Sequence, residues 1–323
     1  MPPLNTRRDY RIQPAAQAAN VTGRNGCPRS KMPAGQPKLD AASPPSYSST
    51  VPELAEVEFY RKQWNPGLGG KILAVSLHSG KRIFRGSDPR ALVNSLAGST
   101  LQLSEAHGKQ MLFRFSNQSW LGVHLGMTGT LRVEKSGFQP GRHDHLVLHQ
   151  RGRALVFNDP RQFGRLRFHQ GLDAPGWWAK LPPALTSDSF TAAVMRKLLR
   201  RHRQLPLKAA LLHQAGFPGI GNWMADEILW RTRLHPRTLA GEISEEKSRE
   251  LWRVVRFVCR EACKIIGHDF SDPPRGWFFH QRWTAKGRCP RHGEPLPRAT
   301  IGGRTTAWCP KCQPEPLSRR RRS

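Results

Sequence analysis

The sequence predicts an α+β protein in which short strands come first, helices follow and a small metal-binding hairpin ends the chain. Three observations carry this prediction. Short segments of alternating polarity, separated by turn residues, fill the stretch from about residue 70 to residue 168. Apolar residues then recur at helical spacing as far as residue 266, and cysteine and histidine residues pair at short spacing near the C-terminus.

The overall composition indicates a folded protein with a polyanionic partner. The chain has 323 residues, of which 37% are hydrophobic, so it is long enough for a sizeable core and for two domains. Lys and Arg number 52 against 23 for Asp and Glu, which leaves a formal net charge of +29. This excess favours nucleic acid as the partner. An anionic membrane surface is the alternative, but no stretch approaches the roughly 20 apolar residues of a spanning helix.

Cysteine usage and the N-terminus place the protein inside the cell, in the cytoplasm or nucleoid if the source is bacterial. The N-terminal residues lack the continuous apolar core of a secretory signal. The cysteines do not form the pattern of a disulfide framework, and only the last three cluster at the spacing of metal ligands. The six are Cys27, Cys259, Cys263, Cys289, Cys309 and Cys312.

Both ends of the chain differ in composition from its middle. Residues 1–51 are rich in Pro, Ser, Ala, Asn and Arg and show no periodicity, so we expect a disordered extension. Residues 314–323 include a run of arginines at 319–322, and we expect a basic tail that is solvated or adds non-specific attraction to phosphate.

A helical signal and then a series of strands follow the extension. Residues 52–58 have the pattern of a short acidic helix. Strand patterns, with turn residues between them, cover residues 71–77, 111–115, 121–125, 145–148, 154–157 and 165–168. Short strands of this kind predict a β-sandwich or a β-barrel.

Beyond about residue 187 the period of the apolar residues becomes helical. Helices are predicted over residues 190–201, 206–213, 222–233 and 244–266. Ser244 can cap the last and longest of them, and Glu245 and Glu246 suit the dipole at its N-terminus. Cys259 and Cys263 are four residues apart in this helix and are interpreted as core residues.

The C-terminal cysteines and one histidine form a candidate metal site. Cys289 and His292 are followed, after sixteen residues, by Cys309 and Cys312. Two tight turns that each present two ligands favour one closed, structural, tetrahedral zinc ion, with a β-hairpin between the turns. The alternative is a set of free thiols beside a surface histidine. A filled site would hold Arg304 on a rigid cationic tip that suits a phosphate.

Several segments in one order resemble the formamidopyrimidine-DNA glycosylase family, which includes the endonuclease VIII-type enzymes. The resemblance covers residues 52–313. The motifs that carry it are PELAEVE at 52–58, Gly108-Lys109, HLGMTG at 124–129, DPRQFG at 159–164, GIGN at 219–222 and the C-terminal cysteine and histidine pairs. The Pro-Glu-Leu start resembles the formamidopyrimidine branch.

The resemblance also implies the order of the domains. It implies an N-terminal β-sandwich with the catalytic helix at its start over residues 52–170. A helix-two-turn-helix domain over residues 185–268 and a zinc finger over residues 280–313 would follow. The periodicity described above agrees with this order of elements.

The same resemblance implies the catalytic residues. Pro52 matches the N-terminal proline that attacks C1′ of the damaged nucleotide and forms a Schiff base with the sugar. An α-amine suits this step, because its pKa is about 8 against about 10.4 for lysine. Glu53 matches the acid that protonates the leaving group. Lys109 and Arg304 match the residues that assist β-elimination and δ-elimination.

Further residues match positions that contact DNA in the family. Met127, Arg161 and Phe163 match the residues that fill the space left by an extruded base. His143 matches a DNA-contact position, with a structural histidine as the alternative. Asn222 opens a predicted helix after a glycine turn, where we expect it to cap the helix and contact a phosphate. Read singly, Met127 and Phe163 would be plain core residues.

The sequence departs from the family pattern at four places. Pro52 lies inside the chain, where its nitrogen is an amide without an available lone pair, so we expect the first 51 residues to be absent from the working protein. A start codon read as Val51, or proteolysis, would remove them. Ala55 replaces a second proline, His292 replaces a cysteine, and residues 269–283 are short for a lesion-capping loop.

Two hypotheses for function therefore remain open. The first is a monomeric, bifunctional glycosylase and lyase that removes oxidised purines, namely formamidopyrimidines and 8-oxoguanine, from damaged double-stranded DNA. It would carry one structural Zn²⁺ and have no membrane partner. The second is a catalytically silent protein that keeps its extension and only binds damaged DNA. A zinc-dependent regulator is more remote, since no separate recognition helix or dimerisation heptad is evident.

Overall fold

The computed structural model describes residues 51–78 and 80–316. The predicted disordered extension, apart from Val51, and the predicted basic tail beyond residue 316 lie outside the described residues. Within the described part of the chain, none of the helices is long and apolar enough to cross a membrane.

Seven helices and ten strands make up the described regular structure, with a few short 3₁₀ turns between them. The helices are α1 (Leu54–Gln63), α2 (Pro89–Leu96), α3 (Gly176–Ala179), α4 (Ala192–Arg201), α5 (Leu207–Leu211), α6 (Asn222–Arg231) and α7 (Glu245–Asp269). The strands are β1 (Ile72–Leu77), β2 (Leu101–His107), β3 (Gln110–Phe115), β4 (Ser119–His124), β5 (Thr130–Lys135), β6 (Asp144–Gln150), β7 (Arg153–Asn158), β8 (Arg165–Gln170), β9 (Arg298–Ile301) and β10 (Arg304–Ala307).

The first eight strands form a β-sandwich, not a barrel. One antiparallel sheet has the order β1-β6-β7-β5 and the other has the order β2-β3-β4-β8. All six predicted strands are present, and the structure adds β2 and β5. Each of these two lies at an edge of its sheet.

Helix α1 lies between the sandwich and the helical part of the chain. Val57 and Trp64 join the core between the two sheets, where the Trp64 ring lies 4.8 Å from the ring of Phe113. Leu54 and Ala55, at the start of the same helix, pack instead into the core of the helical region. Because one helix contributes to both cores, its N-terminus is fixed at the junction between them.

The helical region is built around α7, as its periodicity predicts. The side chain of Ser244 accepts a hydrogen bond from the backbone N–H of Lys247, so Ser244 is the N-cap. The helix continues to Asp269 and ends where Phe270 adopts a left-handed conformation with φ of +65°. Cys259 is buried in the helical core and Cys263 packs against it, as expected.

The C-terminal hairpin consists of β9 and β10, which pair antiparallel with Arg304 opposite Ile301. Gly302 and Gly303 form its turn with φ of +61° and +72°, a conformation that glycine adopts without strain. A small cluster of its own, including Trp230 and Phe278, supports the hairpin from the helical region.

Three distant segments meet backbone to backbone beside the N-terminus of α1. The N–H of Leu54 donates to the carbonyl of Gly219 at 3.0 Å. Gly219 has φ of +93°, and a Cβ there would lie 2.6 Å from Cβ of Leu54 and 3.0 Å from Cα of Gly108. Only a glycine at position 219 therefore lets the segment before α6, the start of α1 and the turn between β2 and β3 approach one another.

We predict that Gly219→Ala lowers the stability of the protein and that Gly176→Ala does not. The left-handed backbone alone costs about 1–3 kcal/mol for a residue with a side chain, and the clash with Leu54 adds to it. Gly176 opens α3 and a Cβ there meets no atom within 4 Å. Thermal denaturation should show a fall of several degrees for the first variant only, and equal melting temperatures would contradict the close approach.

Candidate functional site

The side chain of Glu53 lies on the N-terminus of α6. Its carboxylate accepts hydrogen bonds from the backbone N–H groups of Gly221, Trp223 and Met224 at 2.9, 2.8 and 3.1 Å. These are donors that a helix leaves unpaired in its first turn, where its dipole also favours negative charge. The residue next to Pro52 is therefore anchored to a segment about 170 positions away in the chain.

This arrangement corrects one part of the sequence prediction. We expected Asn222 to cap α6 and the N-terminus of this helix to bind an anion of the partner. The N-cap is Gly221, Asn222 is the first residue of the helix, and the anion on the helix is the Glu53 carboxylate. An internal carboxylate satisfies the same donors that a bound phosphate would have used.

Asn222 instead connects α6 with the C-terminal hairpin. Its amide nitrogen donates to the carbonyl of Thr305 at 3.0 Å, while its Oδ1 is buried without a hydrogen-bond partner. Thr305 follows Arg304 directly in β10. Asn222 therefore helps to set the position of the arginine that was predicted to contact phosphate.

Burial dominates the electrostatics of Glu53. The side chain is only 2% exposed, and this burial raises the pKa of its carboxyl group above the ordinary value. The positive charge of Lys109 and the hydrogen bonds from Trp223 and Met224 act in the opposite direction. A carboxyl group with a raised pKa, fixed beside the start of α1, is a candidate general acid.

Glu56 belongs to the same cluster, although the sequence reasoning gave it no role. Its Oε2 accepts from the backbone N–H of Glu53 at 3.1 Å and its Oε1 accepts from Nε1 of Trp223 at 2.9 Å. Burial, and next the charge of Glu53, raise the pKa of Glu56 to about 7. The spacing of Glu53 and Glu56 is that of a capping box, which is the sequence signal that could have identified it.

Lys109 lies in the turn between β2 and β3, next to the glycine contact described above. Burial lowers the pKa of its ammonium group, and the carboxylates of Glu53 and Glu56 oppose this shift. The charge of Arg304 lowers the pKa further. The mutual influence of these charges indicates that the fold gathers Glu53, Lys109 and Arg304 around the start of α1.

A buried network holds the hairpin that carries Arg304. Asp226 of α6 pairs with Nζ of Lys208 at 2.5 Å and with the guanidinium of Arg282 at 2.8 Å, and all three side chains are almost wholly buried. Arg282 also donates to the carbonyl of Thr305 at 3.4 Å. Arg304 itself is exposed. The buried network thus holds the hairpin in place while the side chain of Arg304 remains accessible. This arrangement is expected for a cation that contacts an anion.

Met127, Arg161 and Phe163 lie together on adjoining loops of the sandwich. Gly126 has φ of +67°, and a Cβ there would lie 2.4 Å from the backbone of Phe163, so the two loops touch. The guanidinium of Arg161 lies over the Phe163 ring at 4.9 Å. Phe163 is 43% exposed, which is unusual for an aromatic residue with only a core role.

Asp159 fixes the shape of these loops. Its carboxylate accepts from Oγ1 of Thr128 at 2.8 Å and from the N–H of Gly164 at 2.7 Å. Its own N–H donates to the carbonyl of His143 at 3.0 Å, which brings the half-buried His143 to the base of the same group. The predicted residues Met127, His143, Arg161 and Phe163 therefore form a second group, which lies on the sandwich loops.

The four predicted metal ligands converge at the base of the hairpin. The ligand atoms of Cys289, His292, Cys309 and Cys312 all lie within 4.8 Å of one another. Sγ of Cys289 and Sγ of Cys312 are 3.6 Å apart, and Nδ1 of His292 is 3.2 Å from Sγ of Cys312. Tetrahedral coordination of zinc at about 2.3 Å implies sulfur separations of about 3.8 Å. Three thiolates and one imidazole can therefore hold one metal ion here.

With this geometry in place, the chain can be compared with known proteins. A family model of the formamidopyrimidine-DNA glycosylase N-terminal domain matches residues 51–166, and one of the H2TH domain of the same family matches residues 181–272. The chain is 35% identical over 274 residues to formamidopyrimidine-DNA glycosylase of Laribacter hongkongensis, covering 81% of this chain and 100% of that protein. The chain belongs to the formamidopyrimidine-DNA glycosylase family. The enzyme of Thermus thermophilus is also 35% identical, over 282 residues that cover 82% of this chain and 99% of its own.

Solved structures of the family agree with the fold. The Lactococcus lactis glycosylase bound to DNA with an abasic site has a TM-score of 0.71 and 26% identity, covering 81% of this chain and 100% of its own. The same enzyme with DNA containing an oxidised pyrimidine has a TM-score of 0.74 and 26% identity, with 82% and 100% covered. The predicted family and the predicted α+β fold, with sandwich, helix-two-turn-helix domain and C-terminal hairpin, are confirmed.

We predict that Glu56 makes the protein less stable as the pH rises from about 4.5 to about 7. The ordinary pKa of 4.5 is raised to about 7 in the fold, so in this window the unfolded chain loses a proton that the folded chain keeps. The expected contribution is roughly 3 kcal/mol, and Glu56→Gln should abolish it. Urea denaturation at pH 4.5 and pH 8 measures the difference.

Glu246→Gln, on the exposed first turn of α7, is the matched control and should keep the wild-type dependence on pH. The absolute stability of Glu56→Gln is lower, because an amide nitrogen cannot accept one of the two hydrogen bonds. The slope with pH is therefore the readout. An unchanged slope in Glu56→Gln would show that this carboxyl group is not protonated in the folded protein.

Proposed function

We propose that the protein is a bifunctional DNA glycosylase and AP lyase of base excision repair, acting on oxidised purines such as formamidopyrimidines and 8-oxoguanine in duplex DNA. The observation that carries this proposal is the Glu53 carboxylate, held by three backbone N–H groups of α6. It fixes Pro52, the adjacent residue, at the point where Lys109 and Arg304 also gather. Related proteins of the same family are named formamidopyrimidine-DNA glycosylases, and one of them has been solved bound to DNA that contains an abasic site.

In the proposed first step, the secondary amine of Pro52 attacks C1′ of the damaged nucleotide. The new N–C1′ bond replaces the bond from C1′ to the base, which leaves with its electron pair and takes up a proton. Glu53 is the group placed to supply a proton, either to the base or to O4′ as the sugar ring opens. Burial raises the pKa of this carboxyl group above its ordinary value, which favours the protonated form that the step requires. The proline nitrogen then loses its proton, and the C1′–O4′ bond breaks with its electron pair going to O4′, which takes up a proton. The product is an iminium ion between the proline and the opened sugar.

In the lyase steps, the iminium ion makes the C2′ proton acidic, and its loss expels the 3′ phosphate. A second elimination at the other side of the sugar expels the 5′ phosphate. Lys109 and Arg304 provide the positive charges that stabilise the two leaving phosphates. Arg304 is exposed at the end of a supported hairpin, and Lys109 lies beside the carboxylate cluster, so they approach the start of α1 from different elements.

This chemistry requires that Pro52 carries a free amine. In the full chain its nitrogen is part of the peptide bond to Val51, and an amide does not attack C1′. We therefore propose that the working enzyme starts at Pro52. Two observations support this. The N-terminal family model begins its match at residue 51, and about four fifths of this chain span the whole of its relatives.

Recognition of the lesion requires that the nucleotide leaves the helical stack. Met127, Arg161 and Phe163 are proposed to enter the space it vacates, with the guanidinium facing the unpaired base and the aromatic ring as a wedge. His143 and Asn222 are proposed to contact the DNA beside them. The net charge of +29 supplies the general attraction to the phosphate backbone. We propose that one copy of the chain binds the damaged DNA in this way and that it acts inside the cell.

The ion proposed for the hairpin is one structural Zn²⁺. Three thiolates and an imidazole fill a tetrahedral site and leave no position for a reacting water. Nε1 of Trp230 donates to Sγ of Cys289 at 3.3 Å, a contact that orients the ligand from the helical region. The ion would stabilise the hairpin and so the position of Arg304.

We predict that loss of this zinc abolishes strand cleavage and weakens DNA binding, while most of the protein stays folded. Cys309→Ser should lose the metal, because a hydroxyl replaces a thiolate ligand, and should bind duplex DNA at least tenfold more weakly. Cys263→Ser is the matched control, since Cys263 lies in α7 outside the ligand group. Metal analysis, circular dichroism and a cleavage assay on an abasic duplex test this. Full cleavage by a metal-free Cys309→Ser protein would contradict it.

A second function has one observation in its favour. Pro52 is internal in the chain as given, so a protein that keeps residues 1–51 would bind damaged DNA without reacting with it. The two functions differ in the state of the N-terminus.

We predict that protein starting at Pro52 is trapped on DNA by borohydride and that the full chain is not. Borohydride reduces the iminium ion to a stable amine, and only a free Pro52 nitrogen forms that ion. The N-terminus of protein purified from its native host should be determined by mass spectrometry, and both forms should be incubated with an 8-oxoguanine duplex. A native chain that keeps residues 1–51 and forms no adduct would favour the binding protein. An adduct from the full chain would exclude Pro52 as the nucleophile.

A further inference from the structure

A cavity of about 280 Å³ lies on the sheet β2-β3-β4-β8, and none of the proposed catalytic residues is part of its lining. Its lining is strongly cationic and partly aromatic. The residues that characterise it are Arg85, Arg165, Arg167, His124, Phe163 and Trp177.

The alternation of β8 places two of these arginines in the cavity. Leu166 is buried in the core of the sandwich and Phe168 packs against that core. Arg165 and Arg167 therefore point to the opposite face of the sheet. In the pairing with β4, Arg165 lies opposite His124 and Arg167 lies opposite Gly122.

An aromatic wall closes one side of the cavity. A Cβ at position 122 would lie 2.3 Å from the ring of Trp177, so the absence of a side chain at Gly122 provides the space in which the ring lies. The guanidinium of Arg167 lies over the same ring at 5.0 Å. This contact holds Arg167 in place while its N–H groups remain available.

The arginines of the cavity lack negative partners. Among the described residues, Arg85, Arg165 and Arg167 form no ion pair. Arg85 donates to the carbonyls of Arg82 and Gly164 at 3.2 and 2.9 Å, and Nε of Arg165 is buried without a hydrogen-bond partner. Arg85 is exposed and Arg165 and Arg167 are half-buried, so all three are accessible, and an anion between them would relieve their mutual repulsion.

Neighbouring groups increase this positive potential. Burial and then the charges of the other arginines lower the pKa of both Arg85 and Arg167. Asp159 is the carboxylate that opposes the shift at Arg85, but its oxygens already accept from Thr128 and Gly164. Among the residues that the structure describes, the cavity therefore has several cationic donors and no carboxylate in its lining.

His124 adds a neutral donor. Burial, and next the charge of Lys109, lower its pKa to about 4, so the imidazole is uncharged at neutral pH. Its Nδ1 accepts from the N–H of Gly126 at 3.0 Å, which leaves the proton on Nε2.

The position of the cavity indicates which anion it takes. Phe163, the exposed ring of the sandwich loops, is part of its lining, and so is Gln110, which follows Lys109. The cavity thus adjoins both groups of candidate DNA contacts. Guanidinium groups bind phosphate oxygens with paired hydrogen bonds, and at 280 Å³ the space admits a phosphodiester.

We propose that the cavity around Arg85, Arg165 and Arg167 binds a phosphate group of the DNA backbone outside the reacting nucleotide. This proposal rests on the proposed function only in that the protein binds DNA. It assigns a binding role to residues of β8 and of the turn after residue 84 that are separate from the catalytic residues. Free inorganic phosphate has the same chemistry and is the alternative source.

The test uses the enzyme that starts at Pro52, Arg165→Gln, and a series of duplexes with a central abasic-site analogue and one neutral methylphosphonate at each successive position. We expect one position, outside the reacting nucleotide, at which the methylphosphonate weakens DNA binding by the wild type about tenfold. The same substitution should not weaken DNA binding by Arg165→Gln. The slope of log K for DNA binding against log salt concentration should be smaller in magnitude by about 0.9 in the variant, which corresponds to the loss of one phosphate contact.

Arg151→Gln is the matched control, because Arg151 is an exposed arginine in the turn between β6 and β7, on the other sheet. It should keep the wild-type response at every position. Arg165→Gln should melt no lower than the wild type, because it removes a repelling charge. If it fails to fold, Arg167→Gln provides the same comparison.

Two results would overturn the assignment. If Arg165→Gln responds to every methylphosphonate as the wild type does, the cavity contacts no backbone phosphate. If calorimetry shows that the wild type binds inorganic phosphate in the cavity but the scan shows no coupling to DNA, the free anion is its ligand. A wild type that does not bind duplex DNA at all would instead contradict the proposed function, and binding without a borohydride adduct would contradict only its chemistry.

Discussion

The carboxylate of Glu53 on the N-terminus of α6 is the interaction on which the candidate active site depends. It joins the first turn of α1 to a helix that follows about 170 residues later, and it satisfies donors that the helix cannot satisfy itself. The glycine contact between Leu54 and Gly219 makes this approach possible. Because α6 also carries Asn222 and Asp226, the same helix positions the hairpin with Arg304.

A protein with a large positive charge thus keeps two carboxyl groups buried beside its candidate nucleophile. Burial raises the pKa of Glu53 and Glu56, and Lys109 limits the shift at Glu53. The opposite condition holds in the cavity around Arg165, where cations are gathered without a free carboxylate. The first arrangement suits proton transfer, and the second suits binding of an anion, so the two regions have different electrostatic roles.

Much of the fold was predictable from local pattern. The six predicted strands and the long helix after Ser244 lie where the sequence indicated, and the four candidate metal ligands converge as expected. Strands β2 and β5, which lie at sheet edges, were not among the predicted strands. The choice between sandwich and barrel depends on which strands pair, and strand pairing is a long-range property.

The sequence by itself indicated the family and the order of the elements, and it singled out Pro52, Glu53 and the four candidate metal ligands, since these depend on residue type and short spacing. Only the tertiary structure decided what occupies the N-terminus of α6. A helix terminus attracts any anion, and the sequence indicated a phosphate where the fold supplies Glu53. The role of Glu56 and the convergence of Arg85 with Arg165 and Arg167 also required the fold. Burial and charge proximity arise between segments that are distant in the chain, and no local pattern records them.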